Sequence, residues 1–207
     1  MPVLKKTLNK MAVAIREQPT LARLTLDREF REAASCLRPG RVLEIGAGQR
    51  HHHRAQLPAG SPYFSLNLVS SEKPSLVGDA AALPVQDGSV DTIIILEVLE
   101  HVPNPLQVIA ECHRALVPCG TMIGSTRFIC TQHGAPSDFT RFTEEGLALV
   151  CGCFADCWIE KLGNRLHTVL DILGENMKIL RIMNRTLQHI RLAPSTCYSG
   201  LLVVAVK

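Results

Sequence analysis

Residues 41–48 read Arg-Val-Leu-Glu-Ile-Gly-Ala-Gly. A short apolar run enters a turn with two glycines and carries an acidic residue near its end. A strand that stops at Gly46-Ala47-Gly48 leaves bare backbone at its carboxyl end, where ligand atoms can approach without a Cβ in the way. In an open α/β sheet that edge is also where ligands sit, at the switch point of the strand order. Alone, the stretch signals only a generic nucleotide loop. It gains force from the motifs downstream of it: Gly78-Asp79-Ala80, then Leu83-Pro84, then Asp87-Gly88-Ser89-Val90-Asp91, then Glu97-Val98-Leu99-Glu100-His101.

Working outward, Arg41–Ile45 is the first strand, Tyr63–Asn67 the second and Ser75–Gly78 a short third. Val90–Leu96 reads Val-Asp-Thr-Ile-Ile-Ile-Leu, and a run so apolar fits a central parallel strand buried on both faces. Leu106, Ile109, Ala110, His113 and Leu116 recur at helical spacing. Thr121–Thr126 is the fifth strand. A helix follows near Thr143–Cys151, opened by Thr143 with Glu144 and Glu145 in its first turn. Cys157–Lys161 and Gly200–Val206 close the set. Alternating strands and helices specify a doubly wound, Rossmann-like α/β sheet with right-handed crossovers. Residues 1–38 read as an N-terminal helical segment that packs on or caps the core, broken at Pro19 and resumed over roughly 21–37. Residues 39–207 form the main domain, with a helical insertion at 164–191. In that insertion Leu166, Val169, Leu170, Leu173, Met177, Leu180, Met183, Leu187 and Ile190 form an apolar stripe expected to pack on the sheet, with basic side chains solvated around it.

Composition narrows the class. At 207 residues, 46% hydrophobic and 20% charged, the chain suits one domain with a sizeable core. Aromatic residues are 4%, which argues against a base-stacking platform, and a net charge of +3 is too small to imply a polyanion partner. The eight cysteines are scattered, and with no signal peptide in view the expectation is a reducing cytoplasm with free thiols. No apolar run reaches the roughly 18 residues of a membrane span.

A dinucleotide fold would need a third glycine at position 51, which is His51, and the bulky Gln49-Arg50-His51 crowds the place a pyrophosphate would occupy. S-adenosylmethionine (SAM) has no phosphate. It brings an α-amino group, a carboxylate, a sulfonium and an adenosine, and the carboxylate of Glu44 suits its cationic end. A ribose diol calls for an acceptor at the end of the second strand, where Asn67 offers an amide oxygen without charge assistance. Asp79 can accept from an exocyclic amine, or it can cap the turn after the third strand.

These residues resemble the class I SAM-dependent methyltransferases, in particular the small-molecule branch called methyltransferase type 11. The resemblance covers about 40–161 and the final strand. It implies a seven-stranded sheet, mostly parallel with an antiparallel last strand. It also implies that Glu44, Gly46, Ala47 and Gly48 hold the methionine part, Asn67 the ribose, and Asp79 and Ala80 the adenine, while Leu96 and Glu97 face the sulfonium and the substrate. Two positions depart from the pattern. Asn67 replaces the usual acid, and Val117-Pro118-Cys119-Gly120 stands where the family has Pro-Gly-Gly, so a positive φ at Cys119 would be strained. The amino-methyltransferase motif of nucleic-acid enzymes is missing after the fourth strand, which again points away from a nucleic-acid acceptor.

The acceptor side has three candidate groups. Glu97-x-x-Glu100-His101 looks like the Glu-x-x-Glu-His of ubiquinone-pathway O-methyltransferases, where such residues can hold a divalent cation; the plainer reading is that Glu100 and His101 cap and pin the turn. Thr131–Thr143 contains His133, a candidate general base, with Asp138 and Arg141 placed to fix the loop or to bind a substrate carboxylate. It resembles a His-x-x-Pro-x-Asp-aromatic-x-Arg-aromatic-Thr signature in bacterial members of the branch. His51-His52-His53 reads as solvated helix surface rather than a metal site, since adjacent helical residues diverge by ~100°. Cys151, Cys153 and Cys157 read as buried free thiols, with no second pair at zinc-finger spacing.

The expected function is methyl transfer from SAM to a small molecule, most simply at oxygen, with His133 and His101 as candidate catalytic groups. A SAM-binding scaffold without catalytic competence is the alternative, motivated by Asn67 and Cys119. A nicotinamide oxidoreductase is disfavoured by His51 and by the lack of a Tyr-x-x-x-Lys. The basic amphipathic stretches 4–16 and 164–191 raise peripheral membrane contact as a further partner.

Overall fold

The computed structural model describes residues 19–48, 52–132, 134, 136–176, 183–190, 192 and 196–207. The amphipathic stretch 4–16 therefore lies outside the described residues, as do His51 and His133.

In chain order the elements are α1 (Leu21–Ser35), β1 (Val42–Ile45), β2 (Tyr63–Asn67), β3 (Leu76–Val77), β4 (Val90–Leu96), α2 (Pro105–Ala115), β5 (Leu116–Arg127), α3 (Glu144–Val150), β6 (Asp156–Leu162), α4 (Arg165–Asn176), α5 (Asn184–Leu187) and β7 (Gly200–Val206). The seven strands form one sheet in the order β3-β2-β1-β4-β5-β7-β6. β1 pairs parallel with β2 and β4, and β4 with β5. β7 slots antiparallel between β5 and β6. The doubly wound, mostly parallel sheet with an antiparallel last strand is thus the architecture found.

β4 is central because Ile93, Ile94 and Ile95 leave no surface exposed. Alternation sends Ile93 and Ile95 to a cluster with Leu43, Ile45, Val108 and Ile109. Ile94 and Leu96 go to the opposite face, against Leu26, Phe30 and Ala34 of α1. The helices start where side chains supply the missing acceptors. Thr20 accepts from the N–H of Arg23 at 3.1 Å, Asn104 from Gln107 at 3.2 Å and Thr143 from Gly146 at 3.1 Å. Among the described residues no helix is long and apolar enough to cross a membrane.

Three expectations need correction. The fifth strand begins at Leu116, not Thr121, because Val117–Gly120 form a bulge within it: Val90 faces Leu116 while Thr92 faces Thr121. Cys119 lies there with φ +61°, and its N–H donates to the carbonyl of Lys207 at 3.0 Å. Of the three neighbouring cysteines only Cys151 is buried; Cys153 and Cys157 are exposed, and all eight cysteines are free thiols.

The third correction concerns the insertion. Met177 and Leu180 of its apolar stripe lie outside the described residues, and none of the described members is buried. On α4 the buried polar side chains are His167, Thr168 and Asp171, while Val169, Ile172 and Leu173 are 46%, 38% and 47% exposed. Hydrogen bonding turns the helix this way. Asp171 accepts from the N–H groups of Leu21 and Ala22 at 2.7 and 2.6 Å, satisfying orphan donors at the start of α1. The Nε2 of His167 lies 3.0 Å from the carbonyl of Leu187. Asn184 donates to the carbonyl of Pro19 at 2.9 Å.

Candidate functional site

The carboxyl ends of β1, β2, β3 and β4 bring the expected cofactor residues to one edge. At the end of β1, Gly46 adopts φ +74°, and a Cβ there would lie 2.4 Å from Val98 Cγ2. Its N–H donates to the carbonyl of Leu66 at 2.9 Å. This glycine serves the chain's own packing. Gly48 is the open position: a Cβ there would meet nothing within 4 Å among the described residues. Ala47 between them is buried, and its carbonyl accepts from Asn67 Nδ2 at 2.8 Å. That bond joins the β1 turn to the end of β2 and fixes the amide orientation of Asn67. Beyond β3, exposed Asp79 caps its turn by accepting from Ala81 N–H at 2.9 Å, with Ala80 buried behind it.

Glu44 lies under this edge. It is 4% exposed, and its two oxygens meet His53 Nδ1 at 2.8 Å and the Tyr63 hydroxyl at 2.5 Å. Arg23 Nη2 lies 3.2 Å from His53 Nε2. A guanidinium only donates, so Nε2 accepts and Nδ1 carries the hydrogen that bonds Glu44. Phe30 packs its ring edgewise on His53 at 4.8 Å. Burial, with Glu44 as acceptor, raises the Tyr63 phenol above its ordinary pKa. His53 is therefore not the solvated residue expected from its tri-histidine run. Within the 3₁₀ turn His52–Gln56 the His53 ring turns inward. The carboxylate of Glu44, expected to meet the cofactor, is engaged from within the chain and braces the turn from below.

At the end of β4, Leu96 is nearly buried and Glu97 is held at φ +56°. A non-glycine in this region costs of order 1–3 kcal/mol, and such strain gathers at functional sites. The Glu97 N–H donates to both the carbonyl and the hydroxyl of Ser125, at 3.0 and 3.1 Å. Its carboxylate lies 3.7 Å from Arg127 Nη1 at the end of β5.

The acceptor-side residues divide. Glu100 is wholly buried; Thr126 donates to its Oε2 at 3.2 Å, and its carbonyl accepts from the N–H of Phe139 at 2.8 Å. His101 Nδ1 lies 2.8 Å from the carbonyl of Ser137. Together they bolt the Leu99–His101 turn to the loop after β5. Among the described residues no three of His, Cys, Asp and Glu gather in a metal-holding group, so Glu97, Glu100 and His101 are not brought together as a cation site. Arg141 grips Asp138 with both prongs, Nη2 to Oδ2 at 2.5 Å, and this hydrogen bonding raises the guanidinium's pKa. Around the pair lies a cavity of about 310 Å³ lined by Cys130, Gln132, Asp138, Phe139, Thr140 and Arg141. That is the lower end of the size range of ligand pockets.

His53, Tyr63, Thr126 and Arg127 complete the arrangement, and none was among the expected site residues. Arg127 alone had a sequence signal, as a cation ending the strand beside Glu97.

Residues 43–124 match the methyltransferase-domain family model, which begins in β1 and ends in β5. Over these residues the chain matches the methyltransferase domain of the type 11 branch. The matched region is similar to the ubiquinone biosynthesis O-methyltransferase of Xanthomonas campestris, 33% identical over 123 residues, covering 52% of this chain and 49% of that protein. The protein of the same name from Methylococcus capsulatus is 46% identical over 120 residues, covering 49% of each. The chain spans about half the length of these curated relatives. Among solved structures, a SAM-dependent methyltransferase of Thermotoga maritima, described as a possible histamine N-methyltransferase, superposes with TM-score 0.62 at 14% identity over 99% of this chain and 98% of that one. Phosphoethanolamine N-methyltransferase 2 of Haemonchus contortus, bound to SAM, gives 0.64 at 14% identity over 89% and 52%. At these identities the likeness is one of fold.

Proposed function

We infer that the chain transfers a methyl group from SAM to a small-molecule acceptor, at oxygen. The observation that carries this reading is the strand edge on which Gly48 is open to a ligand while Asn67 and the strained Glu97 flank it from the neighbouring strand ends. The curated relatives that share the β1–β5 region are named O-methyltransferases, which favours oxygen as the accepting atom.

SAM, when bound, supplies an electrophilic methyl group on a sulfonium. The chain's residues would hold and align it. Gly46, Ala47 and Gly48 would carry the methionine end, with Glu44 bracing their turn. Asn67 Oδ1 would accept from a ribose hydroxyl, and Asp79 with Ala80 would border the adenine. Leu96 and Glu97 would face the reacting centre. Alignment and exclusion of water supply most of the acceleration in such a displacement.

On the acceptor side, the cavity around Arg141 is the proposed substrate chamber, with Asp138 and Arg141 shaping it. His133 remains the candidate for taking a hydroxyl proton. His101 is better supported as the residue that pins the loop, because its Nδ1 already faces the Ser137 carbonyl.

Calorimetric titration with SAM and with its demethylated product tests the cofactor half. Transfer of labelled methyl to a panel of phenols, carboxylates and amines, with wild type and His133→Ala, tests the acceptor half. Failure of SAM to bind would overturn the reading; transfer to amines alone would overturn the choice of oxygen.

A further inference from the structure

The outward face of the insertion between β6 and β7 has a chemistry the methyl-transfer reading does not use. α4 is inside out. Its polar residues His167, Thr168 and Asp171 are buried, and its apolar Val169, Ile172 and Leu173 are exposed. Farther along the same insertion Met183, Ile190 and Leu192 are 57%, 38% and 50% exposed. Scattered single apolar side chains need no explanation, but a concentration in one segment marks an interaction surface.

Two further observations say what would cover it. The first is charge. From 164 to 191 the sequence carries Arg165, Lys178, Arg181, Arg185 and Arg191 against Asp171 and Glu175. Arg165 and Arg185 are exposed, while Asp171 is turned inward to the start of α1. Among the described residues the outward face therefore combines apolar side chains with Arg165 and Arg185. The second is position. β6 ends at Leu162, which pairs with Gly200, and Gly200 pairs in turn with Arg127 at the end of β5. The insertion thus leaves from and returns to the edge of the sheet that carries Gly48, Asn67 and Glu97. It is held there by Asp171 on Leu21 and Ala22, by Asn184 on Pro19, and by Asn164 Nδ2 on the Ile190 carbonyl at 2.9 Å.

We propose that the Val169–Ile172–Leu173 face of α4, with exposed Arg165 and Arg185 of the same insertion, docks on an anionic lipid surface. Apolar side chains would enter the headgroup boundary while Arg165 and Arg185 meet acidic headgroups, the combination that binds interfacial helices. Docking there sets the site-bearing edge of the sheet beside the bilayer, where an amphiphilic acceptor would be held.

The test is vesicle co-sedimentation of the full chain without cofactor, so that its outcome does not depend on methyl transfer. Vesicles of phosphatidylcholine with and without one-third phosphatidylglycerol are compared. The expected result is capture by the anionic vesicles, released by high salt, with little capture by neutral ones. The double variant Ile172→Glu with Leu173→Glu should lose at least tenfold in partitioning and keep its melting temperature, since both side chains are already exposed. Should the double variant fail to fold, Leu173→Gln alone is expected to weaken capture severalfold. Leu149→Glu, at an 81% exposed leucine on α3, should bind as wild type. Absent capture, equal capture by neutral vesicles, or wild-type capture by the α4 variants would overturn the proposal. So would a dimer abolished by the double variant in a protein that ignores vesicles.

Discussion

The Nδ1 of His53 lies 2.8 Å from Oε1 of Glu44, tying the turn after the glycines to the strand before them. Removing the imidazole deletes a buried donor to a carboxylate, a loss of about 1.5–3 kcal/mol. His53→Ala should therefore unfold at lower denaturant and bind SAM more weakly, because the turn loses its brace. Conservative Tyr63→Phe removes the other donor and should act in the same direction. The checks are urea melts and calorimetric SAM affinity on the same samples. A variant that is destabilised but binds SAM normally would reduce Glu44 to a purely structural role.

The two glycines of the β1 turn separate folding from binding. Gly46 has φ +74° and Val98 Cγ2 lies 2.4 Å from where a Cβ would be, so Gly46→Ala should cost about 1–3 kcal/mol of stability. Gly48 has open space around it among the described residues. Gly48→Val should leave the melt within about 0.5 kcal/mol and reduce SAM affinity by tenfold or more. Comparing the two melts with the two titrations checks both halves. Normal binding by Gly48→Val would mean that the ligand does not pass that face of the turn.

Much of this was legible in the chain. β4 is readable because its isoleucine run needs two covered faces, and the β1 turn because glycines mark the strand's end. The reversed face of α4 is not. An apolar stripe at helical spacing ordinarily packs inward, and only the distant partners Leu21, Ala22 and Leu187 reveal that polar His167 and Asp171 are the buried side. The inward turn of His53 was hidden for the same reason: Glu44, Tyr63, Arg23 and Phe30 come together only in three dimensions. The extra length of β5 was masked by Pro118 and Gly120, which ordinarily punctuate a strand rather than sit in a bulge of one.

The same bulge offers a stabilising change. Cys119 is exposed and held at φ +61°, where a side chain costs about 1–2 kcal/mol and glycine costs least. Its neighbour must stay glycine, because a Cβ at Gly120 would lie 2.8 Å from the Val117 carbonyl. Cys119→Gly relieves the strain and loosens the unfolded chain, which offsets part of the gain. A net stabilisation of about 0.5–1 kcal/mol is expected, read as a rise in urea midpoint without a change in slope.

His167 makes the insertion sensitive to acid. It is 2% exposed, and burial lowers its pKa below the ordinary imidazole value, outweighing the bond to Leu187. Its Nε2 donates to the Leu187 carbonyl, while Nδ1 has no hydrogen-bond partner among the described residues, so the neutral ring is the form the fold accepts. The unfolded chain takes up this proton near pH 6.5, and the folded chain resists it until lower pH. Stability from this group is therefore present above about pH 6.5 and lost as pH falls toward the folded value. His113 shifts the same way, through burial and then the charge of Lys207, so part of the slope would survive a single substitution. Asp171 acts with the opposite sign: burial raises its pKa, so its contribution is present below the ordinary carboxylate value of about 3.9 and is lost as pH rises through the folded value. Urea midpoints measured from pH 7.5 to 5.5 should fall for wild type and fall less for His167→Gln, whose amide can still donate to Leu187. Equal slopes in the two proteins would mean that the ring titrates as it does in water.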